Sequence, residues 1–425
     1  MMNHQLAFRM GWCNRVSRVA DNLSEIASEK QGKNLGVEVI AICDINTRTL
    51  ERVGEKYPAA RRYVDFRELY ADRLDDIDAV VVSTTEHTHA FATLPALRAK
   101  KHVYCEKPMT RDVYECRLVT EAAAEAGVMT QQGTQIHSKD NYRRVVEVIQ
   151  SGAIGTIKEA HSFVDRAWGW QTAEQAIANR DLLHTQETPT NKMIPPDDLN
   201  WDLWVGPAPY RDFHEYYWPG PRWYRWWDFG NGTMSDLGSH RNDLVFWALD
   251  LDAPTSVRAG GAPIHYDIAP ASMWAEYQYP ERNGRPAVKV FWYQGTERPP
   301  AVKEGIAPNE NGVLFIGTKG MLHATYSKYT LLPEEDFRDF EPPARIIESS
   351  PGQHAEWVLA CRGEGPEPLC NFAYAGPLTE ANHLGNVAFR SGKKIQWDAK
   401  KMRIPNYPAA ERYLARTYRK GWSLT

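Results

Sequence analysis

The feature that most constrains this chain is an alternation, through its first third, of short apolar runs with stretches of helical period. Leu6 to Met10 is a short apolar run, and after Gly11 the residues Val16, Val19, Leu23 and Ile26 recur at helical spacing. Val37 to Cys43, Ala79 to Ser83, His102 to Cys105 and Val128 to Gln132 repeat the apolar run, each bounded by polar or turn residues. Strands buried on both faces read this way, so the pattern predicts a parallel sheet wrapped by helices. Thr110 is the expected cap of a helix carrying Val113, Cys116, Val119 and Ala123 on one face, with Gly127 ending it.

The 425 residues exceed what one core usually organises, which predicts two domains. The first, dinucleotide-binding in type, is expected over residues 1–134, and an α/β substrate and oligomerisation domain over 135–425. In the second, Asn141 to Ser151 reads as helix and Thr156 to Val164 as strand. Runs at Thr255 to Gly260, Met273 to Tyr279, Ala287 to Tyr293 and Gly312 to Gly317 predict a large, open, mostly antiparallel sheet. Helices are expected at His354 to Cys361 and Leu378 to Phe389. Between the domains' patterns, an aromatic and proline-bearing stretch from about 168 to 227 is too long for an ordinary loop and reads as a lid or an oligomer arm. Its aromatic cluster, Trp218, Trp223, Trp226 and Trp227 with Tyr216, Tyr217 and Tyr224, can stack on sugar rings, although packing is the commoner use of such residues.

Several classes are argued against. Lysine and arginine number 50 against 54 acidic residues, with no long run of one sign for a phosphate backbone or a membrane surface. The cysteines, Cys13, Cys43, Cys105, Cys116, Cys361 and Cys370, are scattered without a CxxC pair, so neither a disulfide framework nor a zinc site is expected. His87 and His89, two apart, and His354 with Glu356 make no converging pair, and no metal is expected. No window of about 18 apolar residues exists, and the start lacks a leader-like pattern, so a cytoplasmic location is expected.

A strand-turn-helix start followed by an acidic residue after the second strand is the arrangement that holds a dinucleotide. Gly11, Cys13, Asn14 and Arg15 form the phosphate turn and Asp44 is the ribose carboxylate, or else an ordinary strand-end residue. The glycine fingerprint keeps Gly11 but puts Cys13 and Val16 where further glycines stand, so backbone approach to a pyrophosphate is crowded, with Arg15 or Arg18 as compensating charge. Asp236 and His240 stand four apart, which on a helix places a carboxylate beside an imidazole able to act as general base.

With Glu106-Lys107-Pro108 after a strand, Thr84 to His89 upstream, Ser151 to Gly155, and Gly232 to Asp243 (GTMSDLGSHRND), the chain resembles the Gfo/Idh/MocA oxidoreductase family. The segments WDLWVGP at Trp201 to Pro207 and NFAYAGPLTE at Asn371 to Glu380 look like a long-chain branch of it. The resemblance implies a Rossmann domain with NAD as cofactor, Asp44 favouring NAD and Arg48 keeping NADP open, and a homodimer or homotetramer built through the large sheet. It implies that Thr84, His87, His89 and Glu106 lie against the cofactor. It implies that Lys107, Asp236 and His240 are catalytic: His240 moves the hydroxyl proton, Asp236 orients substrate or His240, and Lys107 steadies the reacting oxygen. Gln135, Arg166 and Asp243 are the expected substrate-binding residues, each also readable as a structural hydrogen-bonding group. The expected activity is hydride transfer at a secondary hydroxyl carbon of a sugar, polyol or glycoside. Two rivals remain: redox-neutral glycoside cleavage through transient oxidation and elimination, and a non-catalytic binding or regulatory protein with a degenerate cofactor loop.

Overall fold

The computed structural model describes residues 6–8 and 37–424. The phosphate turn at Gly11, Cys13, Asn14 and Arg15, and the helix expected after it, lie outside the described residues. In the N-terminal part, β1 (Leu6–Phe8), β4 (Ala79–Val82), β5 (His102–Cys105) and β6 (Thr130–Gln132) form a parallel sheet in the order β1-β4-β5-β6. A second parallel pair, β2 (Ala41–Cys43) with β3 (Arg61–Tyr63), lies beside β1. Only the last three residues of the expected run Val37 to Cys43 join this ladder.

Helices Thr47–Lys56, Phe66–Arg73, His89–Arg98 and Val113–Ala126 cover the sheet. The cap of the last is Asp112, whose carboxylate accepts the Glu115 amide at 2.9 Å, and not Thr110. The Thr110 hydroxyl instead donates to the Asp112 carbonyl, because the chain arrives extended at Asp112 and the first helical turn begins only there. Gly127 ends the helix with φ of 64°, where a Cβ is disfavoured.

The second sheet has eight strands: β7 (Ile157–Val164), β8 (Ser256–Gly261), β9 (Met273–Tyr279), β10 (Val288–Gln294), β11 (Gly312–Gly317), β12 (Met321–Ala324), β13 (Tyr329–Leu332) and β14 (Ile395–Gln396). Their order is β13-β12-β11-β7-β10-β9-β8-β14, antiparallel except for the pair β7 and β10. Alternation along β10 sorts its side chains: Val288, Val290 and Trp292 join the main core, while Phe291 and Tyr293 stand on the other face. Three helices back the core face: Asp140–Gln150, Gly232–Ala248 and Phe372–Ser391. The last is longer than expected, since Asn371 caps it through the Tyr374 amide and Pro377, in its second turn, removes a single donor without stopping it.

The stretch 168–227 folds back on its own chain. It carries two short helices, Ala173–Ala178 and Trp201–Val205, and four of its tryptophans are core: Trp201, Trp204, Trp226 and Trp227 are all nearly inaccessible. Trp201 stacks on Trp204 at 4.6 Å, within a cluster that includes Ile45, Phe91 and Leu94 of the N-terminal part. Backbone bonds from Asn200 to the Ile45 carbonyl (3.0 Å) and from Thr47 to the Asp198 carbonyl (2.8 Å) fix the contact. The C-terminal tail makes a similar return. Tyr114 donates its amide to the Leu414 carbonyl at 2.9 Å, Trp422 packs against Phe66 and Phe91, and Leu424 is buried.

Candidate active site

The carboxyl ends of β4 and β5 face the N-terminal turns of helix Gly232–Ala248. Lys107, two residues beyond β5, donates to the carboxylate of Asp236 and, at 3.0 Å, to its carbonyl. Arg166, two residues beyond β7, reaches the other carboxylate oxygen at 2.6 Å, with its guanidinium over the Trp168 ring at 4.7 Å. Side-chain exposure rises across this row, 6% for Lys107, 14% for Asp236 and 29% for Arg166, so the row opens to solvent at the arginine. Asp236 thus holds both Lys107 and Arg166. His240, one turn along the helix, is 6% exposed, with its ring edge-on to Tyr326.

Behind the row lies Glu86, which the sequence reading passes over although it stands inside the Thr84 to His89 segment. It is fully buried and accepts from Ser235 at 2.7 Å and Asn231 at 3.3 Å. Burial pushes its carboxyl up to about 8, against the opposing pull of the Ser235 hydroxyl and the Lys107 and Arg111 charges. It therefore ties the loop after β4 to the helix that carries Asp236.

The other expected residues divide. Glu106 accepts from Gln135 at 3.3 Å, and Gly133 lies so close that a Cβ there would meet the Glu106 carboxylate at 2.6 Å. Thr84 is half-buried and receives the Thr88 hydroxyl at 2.7 Å. Asp44 ends β2 and accepts the Asn46 amide at 2.9 Å, while Arg48 pairs with Asp198 at 3.1 Å on the surface.

Three of the expected residues are held by partners within the protein. His89 is buried with both ring nitrogens on backbone carbonyls, Pro108 at 2.7 Å and Thr84 at 3.0 Å, so it braces the two loops and has no ring nitrogen left for a ligand. His87 is buried among Trp204 and Phe229 with Nε2 on the Trp204 carbonyl at 2.9 Å, facing the 168–227 stretch. Burial draws both imidazoles down, His87 to about 3 and His89 to about 4. Asp243 does not line a cleft: it is inaccessible and receives His137 at 2.9 Å and Tyr374 at 2.8 Å. Asp243, His137 and Cys370 place ligand atoms within 4.8 Å of one another, a metal-capable set that the sequence hides because its members are far apart in the chain.

The described residues fit a dinucleotide. Asp44 supplies a carboxylate at the end of β2, and Gly133 leaves no side chain over Glu106 at the strand ends where such ligands bind. Among the described residues no helix is long and apolar enough to cross a membrane, and Cys43, Cys105, Cys116, Cys361 and Cys370 are free and buried.

Residues 18–134 match the model described as oxidoreductase family, NAD-binding Rossmann fold, and residues 150–336 match its C-terminal alpha/beta domain. Inositol 2-dehydrogenase of Salmonella typhimurium is 33% identical over 138 residues, 32% of this chain and 39% of that protein. The 1,5-anhydro-D-fructose reductase of Ensifer adhaerens is 32% identical over 120 residues, 28% of this chain and 35% of that protein. The matched region thus spans about two fifths of the length of these curated relatives. Among solved structures, the WlbA dehydrogenase from Bordetella pertussis, in complex with NADH and UDP-GlcNAcA, superposes with a TM-score of 0.56 at 19% identity, covering 92% of this chain and 98% of that one. The aldose-aldose oxidoreductase from Caulobacter crescentus gives 0.57 at 16% identity, covering 92% and 99%, and such likeness speaks to fold alone. With both of its domains matched in sequence and its two sheets arranged as described, the chain belongs to the Gfo/Idh/MocA oxidoreductase family.

Proposed function

We propose that the protein is an NAD-dependent oxidoreductase that transfers hydride at a secondary hydroxyl carbon of a carbohydrate. The observation that carries this reading is the row Lys107, Asp236, Arg166, in which residues from the two sheets meet in one partly open ion-paired group beside His240. Asp44, Thr84 and Glu106 would hold the nicotinamide dinucleotide together with the Gly11 to Arg15 turn, and the bound cofactor supplies the hydride acceptor or donor. Lys107, held by Asp236, donates a hydrogen bond to the reacting oxygen and stabilises charge that develops on it. His240 takes the hydroxyl proton in oxidation and returns it in reduction. Arg166, at the open end, binds substrate hydroxyls or a carboxylate.

The relatives named for inositol and anhydrofructose support a polyol or sugar as substrate. The partly buried Trp274, Phe291, Ile316 and Met321, on the sheet face away from the long helices, support pairing with a second copy there. The absence of long apolar helices among the described residues fits a cytoplasmic location. The test is a titration of the purified protein with NAD and NADP, followed by a polyol and sugar screen monitored at the NADH band in wild type and Lys107→Ala. NADH formation that the variant loses supports the reading. Glycoside cleavage without net NADH would favour the redox-neutral rival, and failure to bind either cofactor would remove both.

A further inference from the structure

A cavity of about 440 Å³ opens between the 168–227 stretch, the Tyr266–Asp267 turn and the end of helix Phe372–Ser391, and none of Lys107, Arg166, Asp236 or His240 lines it. Its size is that of clefts that hold small ligands. Its charges are not evenly matched. Arg211 serves two carboxylates at once, Asp228 at 2.8 Å through Nε and Asp267 at 2.7 Å through Nη1, and Asp212 pairs with Lys192 at 2.8 Å. Arg390 lines the same cavity, and no described residue accepts a hydrogen bond or an ion pair from it. Its guanidinium lies instead between the rings of Trp227, at 4.7 Å, and Tyr413, at 4.3 Å. Burial and the nearby Arg111 charge draw it down to about 9, against the pull of Asp228, which lies beyond hydrogen-bond reach, so the cation is desolvated with no carboxylate directly paired to it.

A cation held over two rings and open to a cavity is preset for a carboxylate, because a planar fork binds that group through paired hydrogen bonds. Arg211 is taken up by Asp228 and Asp267 and Asp212 by Lys192, so Arg390 is the lining cation left for a ligand, which suits a single carboxylate and disfavours a polyanion. The remaining lone pairs of Asp228 and Asp267 can accept from hydroxyls. Tyr266, 75% exposed, and Tyr210, 57% exposed, stand at the rim as the flat faces on which a sugar ring rests. We propose that this cavity is a second ligand site, separate from the Lys107 row, for a sugar acid whose carboxylate sits on Arg390 and whose hydroxyls meet Asp228 and Asp267.

The test is calorimetric titration of the NAD-loaded, full-length protein with D-glucuronate, with D-glucose and inorganic phosphate as comparators, in wild type, Arg390→Gln, Tyr266→Ala and Lys107→Ala. The expected result is glucuronate binding at least tenfold tighter than either comparator. It should weaken tenfold or more in Arg390→Gln and in Tyr266→Ala, whose exposed position leaves the fold intact, and persist in Lys107→Ala. NAD affinity, measured separately, reports on the catalytic reading and should not change in the Arg390 and Tyr266 variants. Equal binding of glucose or phosphate, no binding of glucuronate, or binding lost only in Lys107→Ala would overturn the proposal.

Discussion

Two groups of charges, four residues apart where they start in the chain, have opposite fates. Lys107, Asp236 and Arg166 grade from enclosed to open, and their partners come from the loops after two different sheets. Arg111, Asp112, Glu115 and Arg416 are sealed, with side-chain exposures of 6%, 2%, 0% and 9%. Arg416 reaches Glu115 at 2.8 Å and the His87 carbonyl at 2.5 Å, closing the group with a residue of the C-terminal tail. Burial, then the Glu115 charge, push the Asp112 carboxyl up to about 7. Both groups pair basic side chains with carboxylates. Access to solvent separates a group that can exchange a partner for a ligand from one that can only hold the fold.

The sharpest way to break this contrast is Arg416→Met. It leaves Glu115 and Asp112 buried with only Arg111 nearby, and breaking a buried pair costs about 3–5 kcal/mol. Urea unfolding should show that loss, and a cost below about 1 kcal/mol would mean the sealed group is no more structural than the open one. Lys107→Ala should do the reverse. Asp236 keeps Arg166, so stability should fall by no more than about 1–2 kcal/mol, whereas turnover, once a substrate is found, should drop on the order of a hundredfold or more.

Acid sharpens the contrast from another side. His87 and His383 are drawn to about 3, and His89 and His354 to about 4, in each case chiefly by burial. Such groups are neutral when folded and take a proton near pH 6.5 when unfolded, so their stability is complete above about 6.5 and is lost as pH falls towards 4. Unfolding midpoints at pH 7.5 and 5 should differ, and His87→Phe should lessen the difference. Glu86 has the opposite sign: its raised value favours the fold below about 4.5, and that advantage is lost as pH rises through about 8. Glu86→Gln should therefore gain stability relative to wild type between pH 5 and 9. The smallest effect is expected from Arg345→Ala, which removes an exposed pair with Asp140 and should leave the urea midpoint unchanged within error.

What the sequence disclosed follows the same division. AVVV at Ala79–Val82 is apolar over its whole length and HVYC at His102–Cys105 after its first residue, so their strands are legible without neighbours. Tyr329–Leu332 and Ile395–Gln396 are short, and only pairing with β12 and β8 makes them strands. The Glu106-Lys107-Pro108 and Gly232 to Asp243 motifs single out Lys107 and Asp236, which the structure pairs, because a family likeness retains the local order of residues. Burial is a long-range property. Nothing near Asp243 says that Tyr374, 131 residues on, will close over it, and nothing near His87 says that Trp204 will. Glu86 was missed for the same reason, since its value as a tie depends on Ser235.

The return of the tail has a consequence for biosynthesis. Phe66, Phe91 and Glu115 leave the ribosome long before Arg416, Tyr418 and Trp422, which complete their surroundings. Most multidomain chains can finish an N-terminal domain while the rest is still being translated. In this chain the first domain must wait, with its charged group and aromatic wall uncovered, until residues 416–422 emerge. A nascent chain stalled before residue 416 would expose that surface to chaperones and proteases.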